Sequence, residues 1–530
     1  MFDYLIKNGI VLNGIDSEPI RQNVVISGDR IVYLGNKEIP SGELIDAEGL
    51  YVAPGFIDVH AHSEFNLLLD GRAEGKLTQG ITTEINGNCG LSAAPLYGEA
   101  FEHRLQELEQ LGINERWHEL DEYLKILQSK GIALNFATLC GHGNLRASVI
   151  GYANAPCEGD MLDRMKALFH KAVIQGACGL STGLVYPPGI YSDTREIIGL
   201  MDVVASESKK HGLIPDRKFL YTSHIRSEGD RLLEAIEEVI GIAKEAGANV
   251  HISHIKTSGE QNWWKIDSVV NMLEEARNSG VGITCDSYPY IASSTDLDTV
   301  LPAWTFAGGL KEELRRLKDP EKCQKIRAEL SLKGDEYWKN VYVSSIRNPV
   351  SKWMEGESIF DIASRKKKVP ADMVVDIIID EKATAGAIFF TMNEDNLRRL
   401  LSLPYVMIGS DSSARSFSGP TFKGKPHPRG FGTFPKFIGT YVRDENLMPL
   451  PEAVRRITSL PAGTFGIKER GIIKEGFFAD IIIFNYNKIS ANATYKEPFT
   501  KSSGIEYVFV NGSLAVSKGE LTGTCHGRVL

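Results

Sequence analysis

Short apolar runs recur along the middle of the chain, near 55–60, 80–86, 132–140, 177–183, 219–224, 249–254, 281–286 and 404–409. Each has the length of a strand buried on both faces, which needs continuous apolar character more than strict alternation. Several are followed by a helical period, most clearly Arg231–Ala246 and Ile266–Arg277. Strands alternating with helices predict an α/β architecture, and eight such strands are the count of a (β/α)8 TIM-like barrel. In that arrangement chemistry gathers at the carboxyl ends of the strands.

The two ends of the chain read differently. Val24 to Ile26 and Ile31 to Leu34, broken by Ser27-Gly28-Asp29, predict a hairpin, and Asp480 to Phe484 and Tyr507 to Val510 predict further strands. We therefore expect a small β-sandwich domain built from both ends, residues 1–54 and 475–530, around a barrel of residues 55–474. The strand-like run Val341 to Ser345 does not fit the barrel count. It is assigned to an insertion of about 293–348, together with a charged helix Leu310–Leu317. That segment exceeds a normal strand-to-helix loop and is expected to act as a lid. The basic run Arg365 to Lys368 reads as a solvated helix end.

Composition narrows the classes. Of the 530 residues 42% are hydrophobic and 24% charged, which excludes disordered and fibrous chains. Lys plus Arg is 59 against 68 Asp plus Glu, a formal charge of −9. That balance argues against nucleic-acid or anionic-membrane partners, which need a basic field. No basic segment followed by a long apolar one opens the chain, and no run is long enough to span a bilayer. The seven cysteines are scattered and form no CxxC pair. A reducing, cytoplasmic setting is expected.

The chemistry-bearing residues fall where the strands end. In Gly55-Phe-Ile-Asp-Val-His-Ala-His62, residues two apart on a strand share a face, so His60 and His62 can present both imidazoles to one metal ion. A bare HxH reads equally as two polar side chains; the apolar strand before it, with Asp58 as an outer partner for an imidazole, favours metal. His224 and His254 each end an apolar run, each follows a serine, and each precedes Ile and a basic residue, Arg226 or Lys256. Singly, either reads as a packed core histidine. Together with HxH they predict a metal site, because the ends of different barrel strands converge. Cys89, in the glycine-bounded turn Gly87-Asn-Cys-Gly90, is either a small buried hydrophobe or a thiolate ligand. A thiolate among imidazoles favours zinc over magnesium or calcium. Asp411, in Gly409-Ser-Asp411, reads as a turn residue or as a group placed to take and return a proton.

With these motifs the sequence resembles the amidohydrolase superfamily and, within it, the N-acyl-D-amino-acid deacylases. The likeness runs through APGFIDVHAHSE (53–64), GITTEINGNCG (80–90), GLSTGLVYPPG (179–189), SHIRSEG (223–229) and SHIKTSG (253–259). It continues through CDSYPYIASST (285–295), GSDSS (409–413), HPRGFGTFP (427–435), EGFFADIIIFN (475–485), YVFVNG (507–512) and GRVL (527–530). The resemblance implies a tightly held zinc on Cys89, His224 and His254 and a weaker second site toward His60 and His62. It also implies that Cys89 takes the place of a carboxylated lysine, in keeping with the absence of lysine from Ala177–Tyr186. Lys256, Tyr288, Ser294 and Arg429 would grip substrate, with Lys256 sharing the face of His254 two residues earlier on a strand. The implied activity is hydrolysis of small N-acyl-D-amino acids to a D-amino acid and a carboxylate, with Asp411 as proton shuttle. Rival readings are a hydrolase of dipeptides with a C-terminal D-residue, a cyclic-amide hydrolase, and a barrel that binds without catalysis.

Overall fold

The computed structural model describes residues 2–201 and 220–530. All eight expected strand positions carry strands: Phe56–Asp58, Ile81–Asn86, Asn135–Thr138 with Cys140–Gly141, Leu180–Gly183, Leu220–His224, Asn249–Ile252, Ile283–Ser287 and Val406–Ile408. Phe219, the first residue of the expected fifth strand, lies outside the described residues. The first three positions pair in parallel as one sheet, and the remainder pair in parallel as a second, six-stranded sheet. Residues 135–141 enter both sheets. The last strand returns to the first through a parallel bridge between Ala61 and Ser412, and Asp411 N–H donates to His60 O at 2.8 Å. Because the strands are parallel, His60, Cys89, His224, His254, Tyr288 and Asp411 all stand at or just past carboxyl ends on one side of the sheets.

Between strands the helices bury an apolar stripe. Leu232–Ala246 packs Leu232, Ile236, Val239 and Ile242 inward and stops at Gly247, whose φ of 61° suits a residue without Cβ. Ile57, Val59, Ile85, Ala137, Leu139, Leu220 and Met407, on the strands or just beyond them, form a separate apolar cluster with Ala462 and Phe465 of the helix Ser459–Phe465.

The two chain ends meet in sheets of their own. Tyr51–Pro54 pairs antiparallel with Ile481–Phe484, and Ile505–Val510 continues the same seven-stranded sheet. Phe2–Lys7, Asn23–Ser27, Arg30–Gly35 and Ser41–Asp46 form a four-stranded sheet. Ile6, Val24, Ile26, Ile481, Ile483 and Phe509 share one core, so residues from opposite ends of the chain bury each other.

The excursion after the seventh strand is longer than the expected 293–348. Its sheet has Gly386–Phe389 in the middle, flanked by Ser293–Asp296 and Val341–Ser345. Helices Gly309–Lys318, Pro320–Ser331, Ile359–Lys366 and Pro370–Asp380 all supply its separate core. The central strand spans only GAIF, too short a run to announce itself, and the helices on both sides of Val341–Ser345 need the same sheet to cover their apolar faces.

Candidate metal centre

Three backbone turns set the site. Cys89, His254 and Asp411 have φ of 55°, 35° and 49°. Such values cost free energy for residues with a Cβ and persist where surrounding contacts over-determine them. The Cys89 turn is wedged against the fourth strand: a Cβ on Gly183 would stand 2.1 Å from Cys89 O, and one on Gly90 2.6 Å from Gly183 N. Only glycine on both sides permits that approach.

The donor atoms converge. Cys89 Sγ lies 3.3 Å from His60 Nε2 and 3.5 Å from His254 Nε2. Asp411 Oδ1 lies 3.4 Å from His62 Nε2 and 3.6 Å from His60 Nε2. Among the described residues three groups have ligand atoms within 4.8 Å of one another: His60, Cys89 and His254; His60, His62 and Asp411; and His224, Glu228 and His254. His224 ends its strand, and its Nδ1 is buried without a partner.

Charge in this cluster is balanced internally. Burial pushes the Cys89 thiol up, but the imidazoles of His60 and His254 outweigh it and hold the thiol well below its usual range. Burial likewise opposes ionisation of Asp411, and Arg429 and His60 outweigh that. Burial opposes protonation of the imidazoles, yet Asp286 holds His60 well above its usual value, Asp411 brings His62 to about 9 and Glu228 brings His254 to about 9. With the imidazoles neutral, the Cys89 thiolate and the Asp411 and Glu228 carboxylates leave negative charge that a cation at the centre would offset. A divalent ion meets that demand and leaves the imidazoles neutral, the form that ligates. A thiolate with imidazole donors fits zinc.

Around the cluster lie the expected substrate contacts. Arg429 Nη1 is 3.0 Å from Asp411 Oδ2, and its guanidinium lies over the Tyr288 ring at 4.6 Å. The Tyr288 hydroxyl is buried with no partner, an orphan donor facing the charged groups of the site. Ser294 contributes through its backbone: its carbonyl accepts from Arg429 Nη2 at 3.1 Å, while its hydroxyl donates to Ala387 O. Lys256 Nζ contacts Glu228 and lies 2.9 Å from His254 Nδ1. It does not get there by strand alternation, because the strand ends at Ile252 and the positive φ of His254 redirects the chain.

A model of the amidohydrolase family matches residues 43–295 and 369–516. The chain belongs to the amidohydrolase family. A D-aminoacylase from Alcaligenes xylosoxydans xylosoxydans is 32% identical over 530 residues, covering 100% of this chain and 97% of that one. An N-acyl-D-glutamate deacylase from the same organism is 33% identical over 96% of this chain and 93% of its own. The solved structure of N-acyl-D-glutamate deacylase from Bordetella bronchiseptica, complexed with zinc and a phosphonate mimic of the tetrahedral intermediate, matches with a TM-score of 0.82. It is 32% identical over 100% of this chain and 99% of that one.

Sequence reasoning missed two carboxylates of this amidohydrolase. The His60 ring meets Asp286, not Asp58: its Nδ1 is 3.1 Å from Asp286 Oδ2, whereas Asp58 accepts the His60 backbone N–H at 3.3 Å and turns its side chain to Lys76 and Ser410. Glu228 is the other, 2.8 Å from His254 Nδ1. Both stood inside quoted motifs, CDSYPY and SHIRSEG, without a spacing signal.

Proposed function

We propose that this protein hydrolyses the amide bond of N-acyl-D-amino acids at a zinc centre, releasing a D-amino acid and a carboxylate. The observation that carries the reading is the convergence of Cys89 with His60 and His254 at 3.3 and 3.5 Å. The D-aminoacylase and N-acyl-D-glutamate deacylase among its relatives give the substrate class. Eight strand positions forming one closed (β/α)8 barrel are supported by the Ala61–Ser412 bridge, and a β-sandwich of residues 1–54 and 475–530 by their common core. Residues 55–474 would then carry the chemistry, with seven free cysteines suited to a reducing cytoplasm.

Cys89, His224 and His254 would hold the tight ion, and His60 and His62 a weaker second position that shares Cys89. When bound, zinc supplies a Lewis acid that polarises the scissile carbonyl and lets water attack near neutral pH. Asp411, ionised beside Arg429, accepts the proton of the attacking water at a carboxylate oxygen and returns it to the departing amine. The unpartnered Tyr288 hydroxyl donates to the carbonyl oxygen as negative charge develops there. Lys256 and Arg429 hold the substrate carboxylate, Arg429 being aimed by the Ser294 carbonyl. The excursion after the seventh strand would cover the pocket, since its first strand carries Ser294, whose carbonyl accepts from Arg429 Nη2 at 3.1 Å.

The test is turnover of acetyl-D- and acetyl-L-amino acids together with hydantoins, alongside zinc analysis. D-selective cleavage with bound zinc is expected; cleavage of hydantoins only, or of L-enantiomers in preference, overturns the reading. Asp411→Asn should keep zinc and substrate affinity and lower kcat by ~10²–10⁴-fold. Normal turnover in that variant would move the proton to another residue.

A further inference from the structure

We propose that Asp286 and His251 are positioning residues for the metal centre, Asp286 fixing which nitrogen of His60 faces the ion and His251 holding Asp286 in place. The inference rests on the metal reading above and concerns residues outside its ligand set. Neither Asp286 nor His251 belongs to any of the three donor groups among the described residues.

His60, His251 and Asp286 are all 0% exposed, so every polar atom among them must find a partner within the protein. His60 Nδ1 lies 3.1 Å from Asp286 Oδ2, while its Nε2 lies 3.3 Å from Cys89 Sγ and 3.6 Å from Asp411 Oδ1. A neutral imidazole has one proton, and the nitrogen facing a carboxylate keeps it. The Nε2 lone pair is then free on the side where the thiolate stands. Without that carboxylate the ring has two equivalent choices, one of which puts an N–H where a ligand must be.

The same carboxylate also holds the backbone of a second histidine. Asp286 Oδ1 accepts the backbone N–H of His254 at 3.0 Å, pinning the residue whose φ is 35°. Asp286 is held in turn by His251, whose Nε2 lies 2.8 Å from Oδ2 and whose Nδ1 lies 2.9 Å from Thr284 Oγ1. His251 and Thr284 are directly paired across adjacent strands, so the hydrogen-bonded line Thr284–His251–Asp286–His60 is anchored in sheet register. The last strand leaves room for it: a Cβ on Gly409 would stand 2.5 Å from His60 Cβ and 2.9 Å from Asp286 Oδ1.

Two readouts test this besides activity. In zinc-loaded parent protein, nitrogen-15 NMR should show His60 protonated at Nδ1, with that proton hydrogen-bonded and slow to exchange. Zinc affinity at the position held by His60, His62 and Cys89, measured by chelator competition, should fall ~10–100-fold in Asp286→Ala, the range for loss of an outer partner of a metal-ligating histidine. Asp286→Asn, which keeps an acceptor oxygen, should lose less, and His251→Gln less again. If Asp286→Ala does not fold, Asp286→Asn and Gly409→Ala disturb the same contact and carry the measurement. A His60 proton on Nε2 in the zinc-loaded parent overturns the proposal. So does unchanged zinc affinity in folded variants, even if their Tm falls, since that would make the network structural only. A parent that binds no zinc overturns the metal reading and this inference with it.

Discussion

The loops after the fifth and sixth strands, SHIRSEG and SHIKTSG, are nearly the same sequence with opposite outcomes. Arg226 turns away from the histidines. Its Nε and Nη2 each lie 2.9 Å from a Glu238 oxygen, and Nη2 also reaches Ser192 O at 3.1 Å. Lys256 turns inward onto Glu228 and His254. The backbone decides between them. The fifth strand runs through His224, so the pleat continues to that residue, whereas the sixth stops at Ile252 and His254 takes a left-handed turn. The partners then match the cations: a planar fork suits the bidentate carboxylate of Glu238, and a compact ammonium fits between one oxygen and an imidazole. The acid that holds Lys256 comes from the other loop. Similar motifs therefore share residue types but not directions.

The sharpest break in this comparison is at the histidines themselves. His254→Ala should abolish turnover and most zinc binding, because His254 also faces Cys89 and holds Lys256. His224→Ala should lose zinc too, but leave the Lys256–Glu228 pair intact. Zinc titration of each variant, with a crystal structure of the His224 variant, checks this; a displaced Lys256 there would mean that the two loops are not independent.

Next in size is the pair of cations. A charge-assisted hydrogen bond is worth ~1.5–3 kcal/mol, so Lys256→Met should lower kcat/KM for the free acid by about ten- to a hundred-fold. Arg226→Met should leave kcat/KM within about twofold and shift stability by ~1 kcal/mol or less, as a partly exposed pair does. Equal kinetic losses would erase the distinction drawn here.

How much of this was legible in the sequence follows from the same contrast. Strand positions were readable because a buried parallel strand needs an apolar run, and HxH, His224, His254 and Cys89 were readable because they stand where such runs end. Asp286 and Glu228 were not: a carboxylate gains meaning from a partner far away in sequence, as Asp286 does from His60, 226 positions earlier. Strand alternation alone puts Lys256 on the face of His254, whereas the positive φ at His254 that redirects it leaves no mark on residue type. The strand Gly386–Phe389 was missed because four residues carry too little period.

The smallest effect concerns acid. Burial raises the Glu228 carboxyl, but Lys256 and His254 outweigh it and hold it well below its ordinary value of 4.5. The folded, metal-free protein then binds fewer protons than the unfolded chain as pH falls through that range, so this group stabilises above about pH 4.5 and the contribution is lost on acidification. Glu228→Gln should flatten the acid limb of a stability–pH curve measured by urea unfolding. An unchanged slope would place the acid sensitivity elsewhere.

The most direct measurement is zinc content and turnover of an acetyl-D-amino acid, taken on the same preparations of parent and Cys89→Ala. Zinc and D-selective turnover are expected in the parent, and loss of both in a variant that remains folded. Full zinc occupancy with near-parental turnover in Cys89→Ala would show that the thiol is only packed among the histidines, and would contradict the centre proposed here.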